Sequence, residues 1–264
     1  MDKVTTKTIR SMKKSGEKIV ALTAYDYTFA YLIDEAGVDL VLVGDSAAMV
    51  CAGYENTLPI TLEQMLYHVS SVKRGLKRAL LIADMPFLSY QVNEDEAIKN
   101  AGLFLKAGAE AVKIEGGKPV CNLIRRMVDI GIPVLGHLGL TPQSIHEFGG
   151  YRLRGKDEDE AVRIKEDAKA VEEAGAFALV LEKVPANLAK EITRSIKIPT
   201  IGIGAGPYCD GQILVLYDML GLYDKVKFKF VRRYANLGDE IRKAVKNYAK
   251  DIKEGKFPSN EESY

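Results

Sequence analysis

Short apolar runs alternate with amphipathic stretches along most of the chain. The runs have the length of buried strands, and the stretches between them carry apolar residues at helical spacing. The predicted strands are residues 19–23, 39–43, 80–83, 111–114, 133–136, 177–181, 200–203 and 213–217. Eight strands with intervening helices predict a single-domain α/β fold, the (β/α)8 TIM barrel, over residues 1–264 with a helical C-terminal tail.

The alternative to a barrel is a doubly wound open sheet, which shows the same alternation. An open sheet gathers its functional residues where the strand order reverses. Here polar residues follow strands across the whole chain, which favours the barrel. Segments 47–59 and 141–156 are aperiodic, and we expect both to be loops over the face where the strands end. Thr61 and Gln64 have the spacing of a capping box and predict a helix start.

Four of the apolar runs end in an acidic residue. These residues are Asp45, Asp84, Glu115 and Glu182. Lys113 lies two residues before Glu115, so strand alternation places both side chains on one face, inside the barrel. Carboxylates held close together repel one another unless a cation joins them. Mg²⁺ typically uses one or two protein carboxylates, with water and substrate completing its ligands, so the pattern predicts a divalent-metal site.

Each candidate residue also has a structural interpretation. An aspartate after a strand can cap the following element, and Ser46 can be a cap or turn serine or hold a substrate carboxylate. Lys113 can pair with Glu115, stabilise an enolate oxygen or form a Schiff base. Glu182 can be a general base for C–H abstraction or an ordinary ion-pair partner. His137 can be a structural histidine or a substrate contact.

Composition and charge argue against a protein that binds nucleic acid, has a disulfide framework or spans a membrane. The chain has 37 basic and 36 acidic residues, so no global field favours nucleic acid or an anionic membrane. The three cysteines lie far apart and predict buried, unpaired thiols in a reducing cytoplasm rather than a disulfide framework. The polar, basic first 18 residues and the lack of a long apolar stretch predict a protein without a membrane segment. The absence of a His or Cys cluster argues against zinc.

Several motifs, in this order, resemble the ketopantoate hydroxymethyltransferase family over nearly the whole chain. They are Thr-Ala-Tyr-Asp at 23–26, Val-Gly-Asp-Ser at 43–46, Asn-Thr-Leu-Pro-Ile-Thr at 56–61, Ala-Asp-Met-Pro-Phe-Leu-Ser-Tyr at 83–90, Val-Lys-Ile-Glu-Gly-Gly at 112–117, Gly-His-Leu-Gly-Leu-Thr-Pro-Gln-Ser at 136–144, Leu-Glu-Lys-Val-Pro at 181–185, Pro-Thr-Ile-Gly-Ile-Gly-Ala-Gly at 199–206, Asp-Gly-Gln at 210–212 and Gly-Lys-Phe-Pro at 255–258. The sequence departs from the family at Ala47, Ala48 and Glu262, which the proposed chemistry does not use.

The resemblance implies an enzyme of pantothenate and coenzyme A biosynthesis. It would transfer a hydroxymethyl unit from the cosubstrate 5,10-methylenetetrahydrofolate to 3-methyl-2-oxobutanoate, giving 2-dehydropantoate through a Mg²⁺-stabilised enolate. Each subunit would hold a Mg²⁺ ion. The family also implies a cytoplasmic homodecamer whose partners are the small α-keto acid and folate, not nucleic acid or membrane.

The resemblance also implies roles for individual residues. Asp45 and Asp84 match metal ligands that also contact the substrate, and Glu115 matches a third acidic residue at the metal, directly or through water. Ser46 matches the contact to the substrate carboxylate. Lys113 matches the contact near the substrate carbonyl, and Glu182 matches the proton acceptor.

Two other functions are consistent with a barrel that has acidic strand ends. One is a Mg²⁺-dependent α-keto acid lyase or mutase, related to phosphoenolpyruvate mutase or isocitrate lyase. Its usual reactive-cysteine loop, Cys-Gly-His, is absent from this sequence. The other is a non-catalytic barrel that binds a small acid. Such a protein is expected to lack at least one of Asp45, Asp84, Lys113 and Glu182, and all four are present.

Overall fold

The computed structural model describes residues 2–225 and 228–264, and in that part of the chain eight parallel strands pair in sequence order to form a closed barrel. The strands are β1 (Ile19–Thr23), β2 (Leu40–Val43), β3 (Leu80–Asp84), β4 (Ala111–Glu115), β5 (Val134–Gly139), β6 (Ala178–Glu182), β7 (Thr200–Ile203) and β8 (Gly211–Leu214). Strand β8 pairs with β1 and closes the ring. The predicted TIM barrel is confirmed, and the open-sheet alternative is wrong.

Helices separate the strands from β1 to β7, as the apolar pattern predicts, but none lies in the described residues between β7 and β8. They are α1 (Thr6–Ser15), α2 (Tyr27–Glu35), α3 (Ala47–Val50), α4 (Leu62–Gly75), α5 (Glu94–Lys106), α6 (Cys121–Asp129), α7 (Ile145–Phe148), α8 (Glu158–Glu173) and α9 (Ala186–Ser195). The predicted capping box precedes α4: the Gln64 backbone N donates to the Thr61 hydroxyl, and the Thr61 backbone N donates to the Gln64 side chain.

Three local predictions differ from the structure. Segments 47–59 and 141–156 contain the short helices α3 and α7 and are not loops throughout. Strand β8 lies at Gly211–Leu214 rather than at 213–217. A Cβ atom at Gly211 would lie 2.6 Å from the Ile19 carbonyl oxygen, so close packing on β1 requires the glycine there. Glycine has a low strand propensity, so the sequence pattern alone placed the predicted strand too far toward the C-terminus.

Helix α1 is an element that the sequence analysis missed, because it treated the first 18 residues only as polar and basic. The helix begins with a capping box between Thr5 and Thr8 and buries Ile9 and Met12. These two residues and Val4 belong to one apolar cluster with residues from the first half of the strands. Helix α1 therefore covers the amino-terminal end of the barrel.

The Lys13 side chain fastens α1 to the barrel. Its Nζ donates to the Thr193 carbonyl at 2.8 Å, to the Ile198 carbonyl at 3.0 Å and to Asp210 Oδ2 at 2.9 Å. The same Asp210 oxygen accepts a 2.8 Å bond from the Thr200 backbone N. One partly buried network thus joins α1 to the end of α9 and to the residues at which β7 and β8 begin.

The described part of residues 216–264 forms a second compact unit, distinct from the barrel unit of residues 2–215. It contains α10 (Leu216–Met219) and α11 (Leu237–Lys253), so the predicted helical tail at 231–252 is confirmed, although its helix begins six residues later. One domain over residues 1–264 stays a prediction, and Met1 and residues 226–227 lie outside the described residues.

The cysteines and the helices can be compared with two predictions, that the thiols are buried and that the chain has no membrane segment. None of the three cysteines forms a disulfide; Cys121 and Cys209 are buried as expected, but Cys51, directly after α3, is exposed. Within residues 2–225 and 228–264, no helix is both long enough and apolar enough to cross a membrane.

Candidate active site

Six polar side chains meet at the carboxyl ends of five neighbouring strands. They are Asp45 after β2, Asp84 in β3, Lys113 and Glu115 in β4, His137 in β5 and Glu182 in β6. The barrel register places Asp84 beside Lys113 and Glu115 beside His137. All except Glu182 are buried. The structure therefore brings together the strand-end residues that the sequence singled out.

Asp45 and Asp84 are adjacent carboxylates in a buried site. The Asp45 backbone N donates to Asp84 Oδ2 at 3.1 Å. Asp45 is only 4% exposed, and Asp84 only 1%. Burial raises the pKa of Asp45 well above its usual value, and the charges of Asp84 and Glu115 raise it further. Burial also raises the pKa of Asp84, against the opposing effect of Lys113. A bound cation would relieve this cost of ionisation.

Lys113 is the cation already present in the site. Its Nζ lies 2.8 Å from Asp84 Oδ1 and 3.4 Å from Glu115 Oε1. Burial alone would lower the pKa of Lys113, but these carboxylates raise it above the usual value. The ammonium therefore stays charged, whereas a Schiff-base lysine must react as a neutral amine. The geometry favours the interpretation of Lys113 as a cation that stabilises an oxygen anion.

Glu115 has partners for both of its carboxylate oxygens. Oε1 faces Lys113 and lies 3.3 Å from His137 Nδ1, and Oε2 accepts a 3.0 Å hydrogen bond from the Gln143 backbone N. Burial opposes ionisation, but Lys113 and His137 hold the pKa of Glu115 below its usual value. Glu115 is therefore an ionised residue that organises its neighbours.

His137 bridges Glu115 and the predicted base, Glu182. Its Nδ1 also lies 3.1 Å from Lys113 Nζ, and its Nε2 lies 3.3 Å from Glu182 Oε2. Burial and the Lys113 charge both oppose protonation, but the contacts with Glu115 and Glu182 raise the pKa of His137 to about 9. Glu182 is the least buried of the set, with its side chain 15% exposed. The imidazole can therefore orient the one carboxylate that faces the opening of the site.

The strand ends around Glu182 are closely fitted. Gly139 in β5 has φ +91°, and a Cβ atom there would lie 2.2 Å from the Glu182 carbonyl oxygen. Only glycine allows the two strands to approach in this way. On the other side, Lys183 Nζ donates to the Tyr151 carbonyl at 2.5 Å, and the Arg154 backbone N donates to the Lys183 carbonyl at 2.8 Å. These bonds tie the segment after α7 to the end of β6.

Ser46 follows Asp45 directly and makes no capping hydrogen bond to α3, so its interpretation as a cap serine is wrong. Its Oγ instead shares a 2.8 Å hydrogen bond with the Tyr25 hydroxyl. A Cβ atom at Gly44 would lie 2.7 Å from that Oγ, so the preceding glycine makes room for the serine. The structure thus presents a hydroxyl next to the candidate metal ligands.

Two residues of the site were missed by the sequence analysis. Gln143 Nε2 donates to Asp45 Oδ2 at 3.1 Å, and the Tyr90 hydroxyl donates to Gln143 Oε1 at 2.9 Å. Both residues are buried, although they lie in connecting segments. Their only sequence signal was membership of the motifs at 83–90 and 136–144.

Asp45, Asp84 and Glu115 are the residues predicted to bind a Mg²⁺ ion. Across the described parts of the chain, no three His, Cys, Asp or Glu side chains form a complete metal-binding group. At β4, the Lys113 ammonium contacts both Asp84 and Glu115. Asp45 and Asp84 remain as two hard, buried carboxylates, and that number suits Mg²⁺ when water and substrate supply the other ligands. The residues fit the ion in this form.

A closed parallel barrel with buried carboxylates, a charged lysine and a histidine at its carboxyl-terminal face defines a TIM-barrel enzyme. Comparison of the sequence with family models then gives the particular family. The model for ketopantoate hydroxymethyltransferase matches residues 3–260. The chain belongs to the ketopantoate hydroxymethyltransferase family, so the resemblance seen in the motifs is confirmed.

Curated relatives agree over their full length. The chain is 57% identical over 264 residues to the 3-methyl-2-oxobutanoate hydroxymethyltransferase of Caldicellulosiruptor saccharolyticus, with 100% of both chains covered. It is 57% identical to the enzyme of the same name from Syntrophus aciditrophicus, covering 99% of this chain and 97% of that one.

Solved structures with the same fold are much less similar in sequence. Phosphonopyruvate hydrolase in complex with oxalate and Mg²⁺ has a TM-score of 0.64 at 15% identity, covering 98% of this chain and 93% of that one. The 2,3-dimethylmalate lyase of the phosphoenolpyruvate mutase/isocitrate lyase superfamily has a TM-score of 0.62 at 16% identity, covering 98% and 88%. These similarities establish the barrel fold alone.

Proposed function

We propose that the enzyme transfers a hydroxymethyl unit from 5,10-methylenetetrahydrofolate to 3-methyl-2-oxobutanoate, giving 2-dehydropantoate in pantothenate biosynthesis. Full-length relatives carry the name of this activity. The observation that supports its chemistry best is the convergence of two hard carboxylates, a charged lysine and a Glu–His pair in one buried site. An α-keto acid needs these groups to bind, to lose a proton and to be stabilised as an enolate.

Asp45 and Asp84 would hold the Mg²⁺ ion, and Glu115, whose charge is already balanced by Lys113 and His137, would contact it through water. When bound, the ion supplies Lewis-acid polarisation of the α-keto group. Two buried carboxylates with raised pKa values support this assignment, since a divalent cation favours their ionised forms.

The remaining steps belong to side chains of the chain itself. Glu182 removes the proton from C3 of the keto acid, while His137 holds the carboxylate in place through its 3.3 Å contact. Lys113 lies ready to stabilise the negative charge that develops on the ketone oxygen. Ser46 would donate to the substrate carboxylate.

The C3 carbanion then forms a carbon–carbon bond to a one-carbon unit at the oxidation level of formaldehyde. One water supplies the hydroxyl oxygen, and tetrahydrofolate leaves, so the reaction needs no oxidant or reductant. The segments that carry α3 and α7 follow strands at the same end of the barrel, and we assign the folate to that face. A homodecamer and a cytoplasmic location stay predictions from the resemblance.

Proton exchange at C3 tests the proposal directly. The enzyme is incubated with 3-methyl-2-oxobutanoate in D₂O, with and without Mg²⁺ and tetrahydrofolate, and the C3 signal is followed by NMR. We expect deuterium incorporation that depends on Mg²⁺, and formation of 2-dehydropantoate when methylenetetrahydrofolate is added. Exchange only with folate present would identify a base that folate activates.

The other two functions give different results in the same assay. A lyase or mutase would cleave or rearrange its own substrate without any folate, and a binding protein would catalyse no exchange under any condition. Absence of both exchange and product, with Mg²⁺ and the folate cosubstrate present, would contradict the proposed transferase.

A further inference from the structure

Gln143 links two of the acidic residues in the candidate site. It lies in the 3₁₀ turn Pro142–Ser144 that follows β5, and it is 6% exposed. Its backbone N donates to Glu115 Oε2 at 3.0 Å, and its side-chain Nε2 donates to Asp45 Oδ2 at 3.1 Å. One residue therefore fixes the separation between carboxylates that come from the ends of β2 and β4.

The side-chain amide of Gln143 uses its full hydrogen-bonding capacity. The second Nε2 proton is donated to the Met85 carbonyl at 2.9 Å. Oε1 accepts one bond from the Tyr90 hydroxyl and one from Gln91 Nε2, each 2.9 Å long. A glutamine amide offers two donated and two accepted bonds, and all four are made here.

The same partners determine which way the amide faces. If it were flipped, Oε1 would face the Met85 carbonyl and Asp45 Oδ2, and two pairs of acceptors would be in contact. The Tyr90 hydroxyl accepts from the Glu115 backbone N at 3.2 Å, and its proton is directed to Gln143 Oε1 at 2.9 Å rather than to the more distant Glu115 carbonyl oxygen at 3.4 Å. The network therefore has one consistent arrangement, with a donor directed at Asp45.

We propose that Gln143 is a positioning residue for the metal site. By occupying Asp45 Oδ2 it sets the plane of that carboxylate and leaves Oδ1 for the ion. Among residues 2–225 and 228–264, no donor forms a hydrogen bond to Asp45 Oδ1. The inference rests on the metal assignment in the proposed function, and it adds a residue that would not touch the ion.

The test measures binding of Mn²⁺, a spectroscopic substitute for Mg²⁺, by the electron paramagnetic resonance signal of the free ion. Gln143→Met keeps the volume of the side chain and removes all four amide bonds. We expect its Mn²⁺ dissociation constant to rise about tenfold, the lower end of the range for losing an outer-shell partner. The matched control is Gln91→Met, which removes one bond to Oε1 but none to Asp45. We expect no more than about a twofold change in that variant.

Each outcome decides the inference. Unchanged Mn²⁺ affinity in a folded Gln143→Met protein overturns it and leaves the proposed function intact. A wild-type protein that binds no Mn²⁺ overturns the metal assignment and this inference together. If Gln143→Met does not fold, Gln143→Asn takes its place, because the shorter side chain withdraws the amide from Asp45 while the backbone bond to Glu115 is kept. We expect about a tenfold loss of affinity there as well, and an affinity equal to that of wild type contradicts the inference.

Discussion

The two ends of the barrel differ in what they bury. At the amino-terminal end, α1 buries Ile9 and Met12 in the apolar core, and the Lys13 ammonium has three hydrogen-bond acceptors. At the carboxyl-terminal end, Asp45 and Asp84 are buried with raised pKa values, so their ionised forms destabilise the fold. One end of the barrel therefore stabilises the protein, whereas the other keeps buried carboxylates at a cost in stability, as is typical of an active-site face.

Strained backbone at non-glycine residues lies, in the described part of the chain, at the carboxyl-terminal end of the barrel. Among the described residues, the two non-glycine positions with positive φ are Leu88 at 65° and Lys183 at 45°. They follow β3 and β6, and both lie at the end of the barrel that carries the candidate site. Strained residues persist where surrounding structure holds them, and they are common at functional sites.

The largest effect that separates the two ends is expected for Glu182→Gln. The amide keeps the shape of the side chain but cannot accept the C3 proton, so kcat should fall by about 10²–10⁴-fold. Binding of the keto acid and the melting temperature should stay close to wild type. Steady-state kinetics measure kcat, and calorimetry measures keto-acid binding and the melting temperature. Glu173→Gln, at an exposed position of α8, is the control, and wild-type turnover in Glu182→Gln would remove this residue from the role of base.

Ile9→Ala is the corresponding change at the opposite end. The variant leaves a cavity under α1 where the side chain is fully buried, so the free energy of unfolding should fall by about 2–5 kcal/mol while kcat is retained. Chemical denaturation measures the first quantity at a temperature where the variant is folded. Ile130→Ala, at a position 60% exposed, should cost far less. Equal losses in the two variants would contradict the assignment of α1 to the core.

Lys13→Met tests the polar fastening of α1. It removes a donor from two carbonyls and from Asp210, so we expect a loss of about 1–3 kcal/mol in the free energy of unfolding. Lys14→Met is the matched control, because Lys14 is the next residue on the same helix and is exposed. If the two variants are equally stable, the Lys13 network does not hold the helix in place.

The smallest expected effect is a gain in stability for Leu88→Gly. A left-handed conformation costs a non-glycine residue about 1–2 kcal/mol, and glycine loses about 0.5–1 kcal/mol through greater freedom in the unfolded chain. The net gain should be about 0.5–1 kcal/mol by the same estimate. Leu88→Ala retains the strain and serves as the control. A gain of equal size in the alanine variant would show that the exposed leucine side chain, not the backbone, is responsible.

Much of the barrel could be predicted because its strands are continuous apolar runs, and parallel strands buried on both faces have that signature. The same apolar runs led to Asp45, Asp84, Glu115 and Glu182, because each run ends in one of these acidic residues. Helix α1 was missed because only two of its positions are buried among charged residues, and their partners come from distant parts of the sequence.

Gln143 could not be found from local pattern. Its role depends on contacts with residues 98 and 58 positions away, and glutamine in a connecting segment is normally exposed. Similarly, the sequence placed Lys113 beside Glu115, but its shorter contact is with Asp84 on the neighbouring strand. Contacts between strands follow from closure of the barrel, which no single segment encodes.

The fastening of α1 also affects how the protein is made. Lys13 and Asp210 are 197 residues apart, so α1 is synthesised long before the residue at the start of β8 to which it binds. A ribosome adding about 5–20 residues per second needs roughly 10–40 s to cover that distance. Throughout that interval the apolar side of the nascent helix lacks part of its final core, including Ile213. Until β8 has been synthesised, α1 can therefore bind to other apolar surfaces instead.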